Sequence, residues 1–288
     1  MLFDAHNHLQ DAWLAPHQAR IVADLRHANV GRVVVNGTCQ TDWADVTGLA
    51  RAHPVVGPSL GLHPWDAGNA TPTWRDDLCR ALDATPGAAI GEIGIDRWIL
   101  DRARPDDPRL AGLRRASLAE QIEIFVWQLE LAAERNLPAS IHCLDAWGEL
   151  LRALRHARRP ARGFLLHAYG GSAELARDFA ALGAYFSFNT AFIESRHAAR
   201  RAVFATLPHD RVLAETDAPA MPPPEGHRPY PLPGLADGTV LNHPANVVAA
   251  YAGLAAARGL TVETLAAQVA GNFSRLFGEA PPLSAVPA

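Results

Sequence analysis

Lysine is missing from this chain: all 26 basic residues among its 288 are arginine. That excludes a Schiff-base amine and a carbamylated lysine bridging two metal ions, so any bridging anion has to come from a carboxylate. Cysteine is scarce. Cys39, Cys79 and Cys143 stand far apart, which excludes a zinc-binding cysteine pair and an even disulfide set and reads as reduced thiols. No apolar run approaches the roughly 18 residues of a membrane span. The N-terminus lacks the basic start and apolar stretch of a signal peptide, so the expected location is the cytoplasm, with no membrane partner. Positive charge is not in excess either: a net charge of -4 gives no global basic footprint, and a nucleic-acid role would need a local patch. Low-complexity blocks are absent, hydrophobic residues make up 49%, and nothing implies an obligate protein partner, a profile of a globular enzyme or binding protein.

What is present is an alternation. Eight short apolar runs recur along the chain: "LFDAHNHL" (2-9), "RVVVNGT" (32-38), "VVGPSLGLHP" (55-64), "AAIGEIGID" (88-96), "ASIHCL" (139-144), "GFLLHAY" (163-169), "AYFSFNT" (184-190) and "RVLAETDAP" (211-219). Amphipathic helical patterns fill the intervals, the clearest over 114-136, with Leu118, Ile122, Phe125, Leu129 and Ala133 along one face. Such units predict an α/β fold, a single-domain (β/α)8 TIM barrel over residues 1-278, whose strands are buried on both faces and so read as continuous apolar runs. A doubly wound open sheet is the alternative. Residues 279-288 read as a C-terminal tail. Two connections are longer than the rest, 97-113 and 218-242, as loops that wall a site often are.

The unusual polar residues fall in the later half or at the end of the predicted strands: His6 and His8, His63, Glu92, His142, His167, and Glu215 with Asp217. The C-terminal ends of barrel strands form the active-site face, so these side chains would converge. Side chains alternate along a strand, which puts His6 and His8 on one face. Any one of them could be a satisfied buried residue; together they are hard to read that way. Four imidazoles (His6, His8, His142, His167) and two carboxylates (Glu92, Asp217) are donors for two divalent ions, zinc, magnesium or manganese, and too many for one tetrahedral site. The expected division is His6, His8, Glu92 and Asp217 around one ion and Glu92, His142 and His167 around the other, with Glu92 shared.

The series "DAHNHL", "GLHPW", "GEIGID", "QLELAAERNLPASIHC", "LLHAYGGS", "ETDAP", "HPAN" and "GNFSRLFG" resembles the TatD-like metal-dependent hydrolases, in order and over residues 2 to 278. The resemblance implies a TIM barrel, a two-metal site at the positions named, and magnesium- or zinc-dependent deoxyribonuclease activity on DNA or a small phosphodiester, of the 3'-5' exonuclease type. The sequence departs from that pattern where substrate would be held. Leu144 in "IHCLDA" replaces a usual arginine, and Tyr169 and Gly170 replace a usual Phe and Ser after His167.

Around the metals, His63 reads as a hydrogen-bond donor to substrate or a supporting partner. Asp217 and Glu92 are the expected catalytic groups, with Asp217 placed to take a proton from the attacking water. Asp96 and Glu215 lie two or four residues from ligands on the same strands, where they could orient a histidine or hold a hydrated ion. Trp65 and Trp98 could stack on a base. Arg97, Arg102, Arg104 and Arg109 lie on the active-site side and could grip phosphate; Asp101, Asp106 and Asp107 between them make local ion pairing the alternative. Arg155, Arg158, Arg159 and Arg162 lead into the sixth strand, on the opposite face. Two other functions remain open on the sequence: a binuclear amidase or lactonase, and a non-catalytic metal-binding protein.

Overall fold

The computed structural model describes residues 1–279, so of the tail expected over 279-288 only Glu279 falls within the described residues. In chain order the elements are β1 (Leu2–Asn7), α1 (Gln18–His27), β2 (Val30–Asn36), α2 (Trp43–Ala52), β3 (Val56–Leu60), α3 (Trp74–Asp83), β4 (Ala89–Asp96), α4 (Trp98–Asp101) and α5 (Leu118–Arg135). They continue with β5 (Ala139–Leu144), α6 (Trp147–His156), β6 (Phe164–Leu166), α7 (Ala173–Ala181), β7 (Ala184–Asn189), α8 (Ala198–Thr206), β8 (Val212–Glu215), α9 (Val247–Arg258) and α10 (Val262–Phe277). The eight strands form one sheet in the order β1 to β8 and alternate with helices, the (β/α)8 topology of the TIM-barrel class. Past the strand ends, β8 also meets β1: the Asp217 N–H donates to the His6 carbonyl at 2.9 Å and the His8 N–H to the Ala218 carbonyl at 2.7 Å.

Within this topology the chain divides into two compact units. The first comprises Met1–Val35, Gly48–Gly57 and the residues from Phe186 onward. Its core closes around β1, where Phe3 stacks on Phe273 of α10 with ring centroids 4.6 Å apart. The Tyr251 hydroxyl of α9 accepts from the Phe3 N–H at 3.0 Å, satisfying a backbone group at the sheet's margin.

The second unit comprises Asn36–Thr47 and Pro58–Tyr185. All eight residues of β4 are buried, as an Ala-Ile-Gly-rich run between two layers should be. β4 lies so close to β5 that a Cβ on Gly94, whose φ is +150°, would stand 2.0 Å from the His142 carbonyl oxygen. Only glycine fits there. α5 begins at a reciprocal cap, the Ser117 hydroxyl accepting from the Glu120 N–H while the Glu120 carboxylate accepts from the Ser117 N–H, and ends at Asn136 in a left-handed conformation. The helix is therefore shorter than the 114-136 pattern.

Its inward face also differs from the expectation. Gln121 and Gln128 are buried beside Phe125 and Leu129, whereas Leu118, Ile122 and Ala133 are only half-buried. The strands themselves are shorter than the apolar runs. His8, His63, His167 and Asp217 all fall just beyond the last residue of their strands, in the turns that lead away from the sheet. Among the described residues no single helix is long and apolar enough to cross a membrane.

Candidate active site

In the first unit, His6 is the fifth residue of β1, fully buried, with His8 just past the strand end. Their Nε2 atoms lie 3.3 Å apart. Asp217 presents Oδ1 to both, at 3.7 Å from His6 Nε2 and 3.4 Å from His8 Nε2. Bonds of about 2.05 Å in a tetrahedral site set donors about 3.3 Å apart, so the three atoms have the spacing of ligands around one cation. Two imidazole nitrogens and one carboxylate oxygen also suit a divalent ion chemically.

Asp217 reaches this position from a left-handed turn with φ +56°, a conformation that aspartate tolerates and larger residues avoid. β8 ends at Glu215, so Asp217 stands in the turn beyond the strand rather than on it. Glu215 turns instead to β7, accepting from Asn189 Nδ2 at 3.0 Å and from the Ser187 hydroxyl.

Behind this trio sits Asp4, which sequence reasoning passed over. It is fully buried, accepting from the Thr216 N–H at 3.0 Å, the Thr216 hydroxyl at 2.6 Å and Asn7 Nδ2 at 2.9 Å. Burial raises its carboxyl to about 7 against the pull of those bonds. The signal was available: an aspartate inside an otherwise apolar strand is rarely buried without partners to hold.

In the second unit one oxygen of Glu92, on β4, gathers three rings. Glu92 Oε1 lies 2.9 Å from His167 Nε2, 3.1 Å from His142 Nδ1 and 3.4 Å from His63 Nε2. His142 Nδ1 and His167 Nε2 are themselves 3.2 Å apart. These separations also match donors around a small cation. On its far side His142 Nε2 meets Asp96 Oδ2 at 3.1 Å, and Trp65 Nε1 donates to the same oxygen at 2.6 Å. Asp96 thus holds the His142 ring by the nitrogen that faces away from Glu92. Burial disfavours charge on His142, but the hydrogen bonds to Asp96 and Glu92 outweigh it and raise the ring to about 9. Burial likewise works against charge on Asp96, yet the bonds from His142 and Trp65 hold it below its ordinary value.

By spacing, His63, Glu92 and His142 also form a set that an ion could occupy. The tautomer argues for another role. The Trp65 N–H donates to His63 Nδ1 at 3.2 Å, which leaves the proton of the neutral ring on Nε2, the atom facing Glu92. Burial lowers this histidine's pKa and keeps it neutral. His63 is a donor pointing at the carboxylate.

Two glutamines that periodicity could have flagged complete the second unit. Gln128 receives the Leu62 N–H at 2.8 Å and donates to the Leu62 carbonyl at 3.1 Å, fixing the turn that carries His63. Gln121 receives the Asp96 N–H at 2.8 Å. Seven residues apart, they occupy one face of α5 two turns from each other.

The arginine loop is paired. Arg97 meets Asp101 at 2.7 Å and Glu149 at 3.4 Å, Arg102 meets Asp145 at 3.4 Å, and Arg104 meets Asp106 at 3.6 Å. Arg109 is bidentate to Asp107 at 3.0 and 2.7 Å and lies over the Trp98 ring, which stacks on Trp65 with centroids 6.1 Å apart. Local ion pairing, not free guanidinium, is what the structure shows in this loop.

The chain is similar to known proteins along most of its length. The chain is 29% identical over 281 residues to the metal-dependent hydrolase YabD of Bacillus subtilis, covering 96% of this chain and 99% of that one. It is 30% identical over 227 residues to the 3'-5' ssDNA/RNA exonuclease TatD of Cronobacter sakazakii, covering 77% of this chain and 80% of the relative. The crystal structure of YjjV, a TatD homolog from Escherichia coli K12, superposes with a TM-score of 0.81 at 26% identity, over 96% of this chain and 98% of that one. The family model for TatD related DNase matches residues 3–278, and the chain belongs to that family.

Proposed function

We propose that this protein is a metal-dependent phosphodiesterase that hydrolyses single-stranded nucleic acid using two divalent ions, zinc, magnesium or manganese. The observation that carries the reading is the single Glu92 oxygen held within 3.4 Å of three imidazole nitrogens, a set that hydrogen bonding alone does not require. His6, His8 and Asp217 serve one ion, and Glu92, His142 and His167 the other. When bound, such ions acidify a water molecule and neutralise charge on the attacked phosphate. Asp217 accepts the proton of that water on a carboxylate oxygen. Neutral His63 donates from Nε2, so it can hold either Glu92 or a substrate oxygen without adding charge. Asp96 keeps the His142 ring fixed. Trp65, anchored by its indole N–H, offers its ring to a base. Arg97 is a weaker substrate contact, because a phosphate would have to draw it from Asp101 and Glu149.

Purified protein assayed with manganese on single-stranded DNA, bis-p-nitrophenyl phosphate and a panel of small amides and lactones tests this. Hydrolysis of both phosphodiesters supports the reading. Turnover of an amide or lactone alone would overturn it in favour of the second reading, which the paired arginine loop and Leu144 favour.

A further inference from the structure

The arginines at the end of β7 are placed differently from those of the 97-113 loop. Arg200, half-buried at the start of α8, lies with its guanidinium 4.9 Å over the Phe192 ring and has no carboxylate partner among the described residues. Arg201 donates through Nη1 alone to the carbonyls of Phe192, Ile193 and Glu194, which leaves its other nitrogens uncommitted. The nearest acid, Glu194, is taken by Arg196 at 2.6 Å.

Arg201, the neighbour of Arg200 on α8, borders a cavity of about 520 Å³ lined also by Ile193, His227, Ala252, Gly253 and Ala256, among others. Its floor is small and apolar because α9 approaches the β7 turn closely: a Cβ on Gly253 would stand 2.8 Å from Ile193 Cγ1. Its wall is tied in place, the Thr190 hydroxyl donating to the Met221 carbonyl at 2.8 Å and Asn242 Nδ2 donating to the Thr190 hydroxyl at 3.1 Å. Ile193 and His227 come from the loops that follow β7 and β8, the second of which carries Asp217, and the other lining residues from α8 and α9. A floor of alanine and glycine beside Arg201 and His227, with Arg200 next along α8, fits a ligand with an apolar face and an attached anion.

We propose that this cavity is an exosite for one nucleotide of the single-stranded substrate, the base lying on the Ala-Gly floor and the flanking phosphates meeting Arg200, Arg201 and His227. The proposal rests on the nuclease reading. It explains how a chain with net charge -4 and a neutralised arginine loop holds a polyanion: the positive patch is local and sits on β7 and α8. His197 registers the same field. Burial comes first in lowering its pKa, and Arg200 and Arg196 lower it further.

The test measures fluorescence anisotropy of a labelled oligothymidylate with hydrolysis-resistant phosphorothioate linkages, bound to the metal-loaded protein over a range of salt. Arg200→Ala should weaken binding about tenfold and reduce the slope of log K against log salt by about 0.7, one phosphate contact on a single strand. Ala256→Trp, on an exposed helix position, should fill the cavity and weaken binding with the slope unchanged. Arg155→Ala, whose guanidinium pairs with Asp178 at 3.0 Å, should change neither. If wild type cleaves single-stranded DNA while Arg200→Ala binds as wild type does, the exosite is overturned and the nuclease reading stands. If wild type neither binds nor cleaves, both fall. Should Ala256→Trp fail to fold, the affinity and slope of Arg200→Ala decide alone.

Discussion

Glu92 and His142 carry the account at the scale of single residues. Glu92→Gln keeps the shape of a buried side chain and removes its charge, so kcat should fall by more than about a hundredfold, beyond what losing a supporting contact costs. The thermal midpoint should stay near wild type, since Gln keeps the volume of the buried side chain and can still hydrogen-bond to the surrounding rings. Near-normal turnover would show that Glu92 is not a ligand. His142 makes a prediction about pH. In the metal-free protein its ring is raised from 6.5 to about 9, so the folded state holds a proton that the unfolded chain releases earlier. Its contribution to stability is therefore complete below pH 6.5 and is lost as the pH rises through about 9. Because a metal ligand must be deprotonated, metal uptake near neutral pH should release this proton and tighten as pH rises. Calorimetric titration in buffers of different ionisation enthalpy reads the proton directly, and His142→Ala should abolish its release.

At the scale of elements, strand ends and one helix face decide where the ligands stand. The strand-helix alternation and the ligand-bearing motifs were legible in the sequence because apolar runs and imidazoles at strand ends are strong signals. The exact strand ends were not legible: apolar runs continue into the buried turns that carry His63, His167 and Asp217, and hydropathy does not register a backbone that leaves the sheet. The left-handed conformation at Asp217, φ +56°, is invisible in "ETDAP" alone. α5 was misread in rotation for a similar reason, since its two inward glutamines look like surface residues until the Leu62 and Asp96 backbone groups they satisfy are known. Gln128→Leu should leave the buried Leu62 N–H and carbonyl without partners and destabilise the fold by about 1–3 kcal/mol for each group. A chemical denaturation midpoint measures this. An unchanged midpoint would mean that Leu62 finds other partners. Gly94→Ala should be worse tolerated, because the added methyl would meet the backbone of β5 at His142 rather than a movable side chain.

For the whole molecule, family and fold follow from signals spread along the chain, while the substrate depends on a few positions around the site. The arginines of residues 97-113 are held in local ion pairs, and Arg200 on α8 is the phosphate contact proposed in their place. What unites the account is the assignment of two ions to one hydrolytic site. Titrating the metal-stripped protein with manganese while following hydrolysis of single-stranded DNA tests it most directly. The account predicts activity that rises to a plateau at two ions per chain, with His6→Ala and His142→Ala each binding one ion fewer. Full activity at one ion per chain, or no hydrolysis with two ions bound, would contradict it.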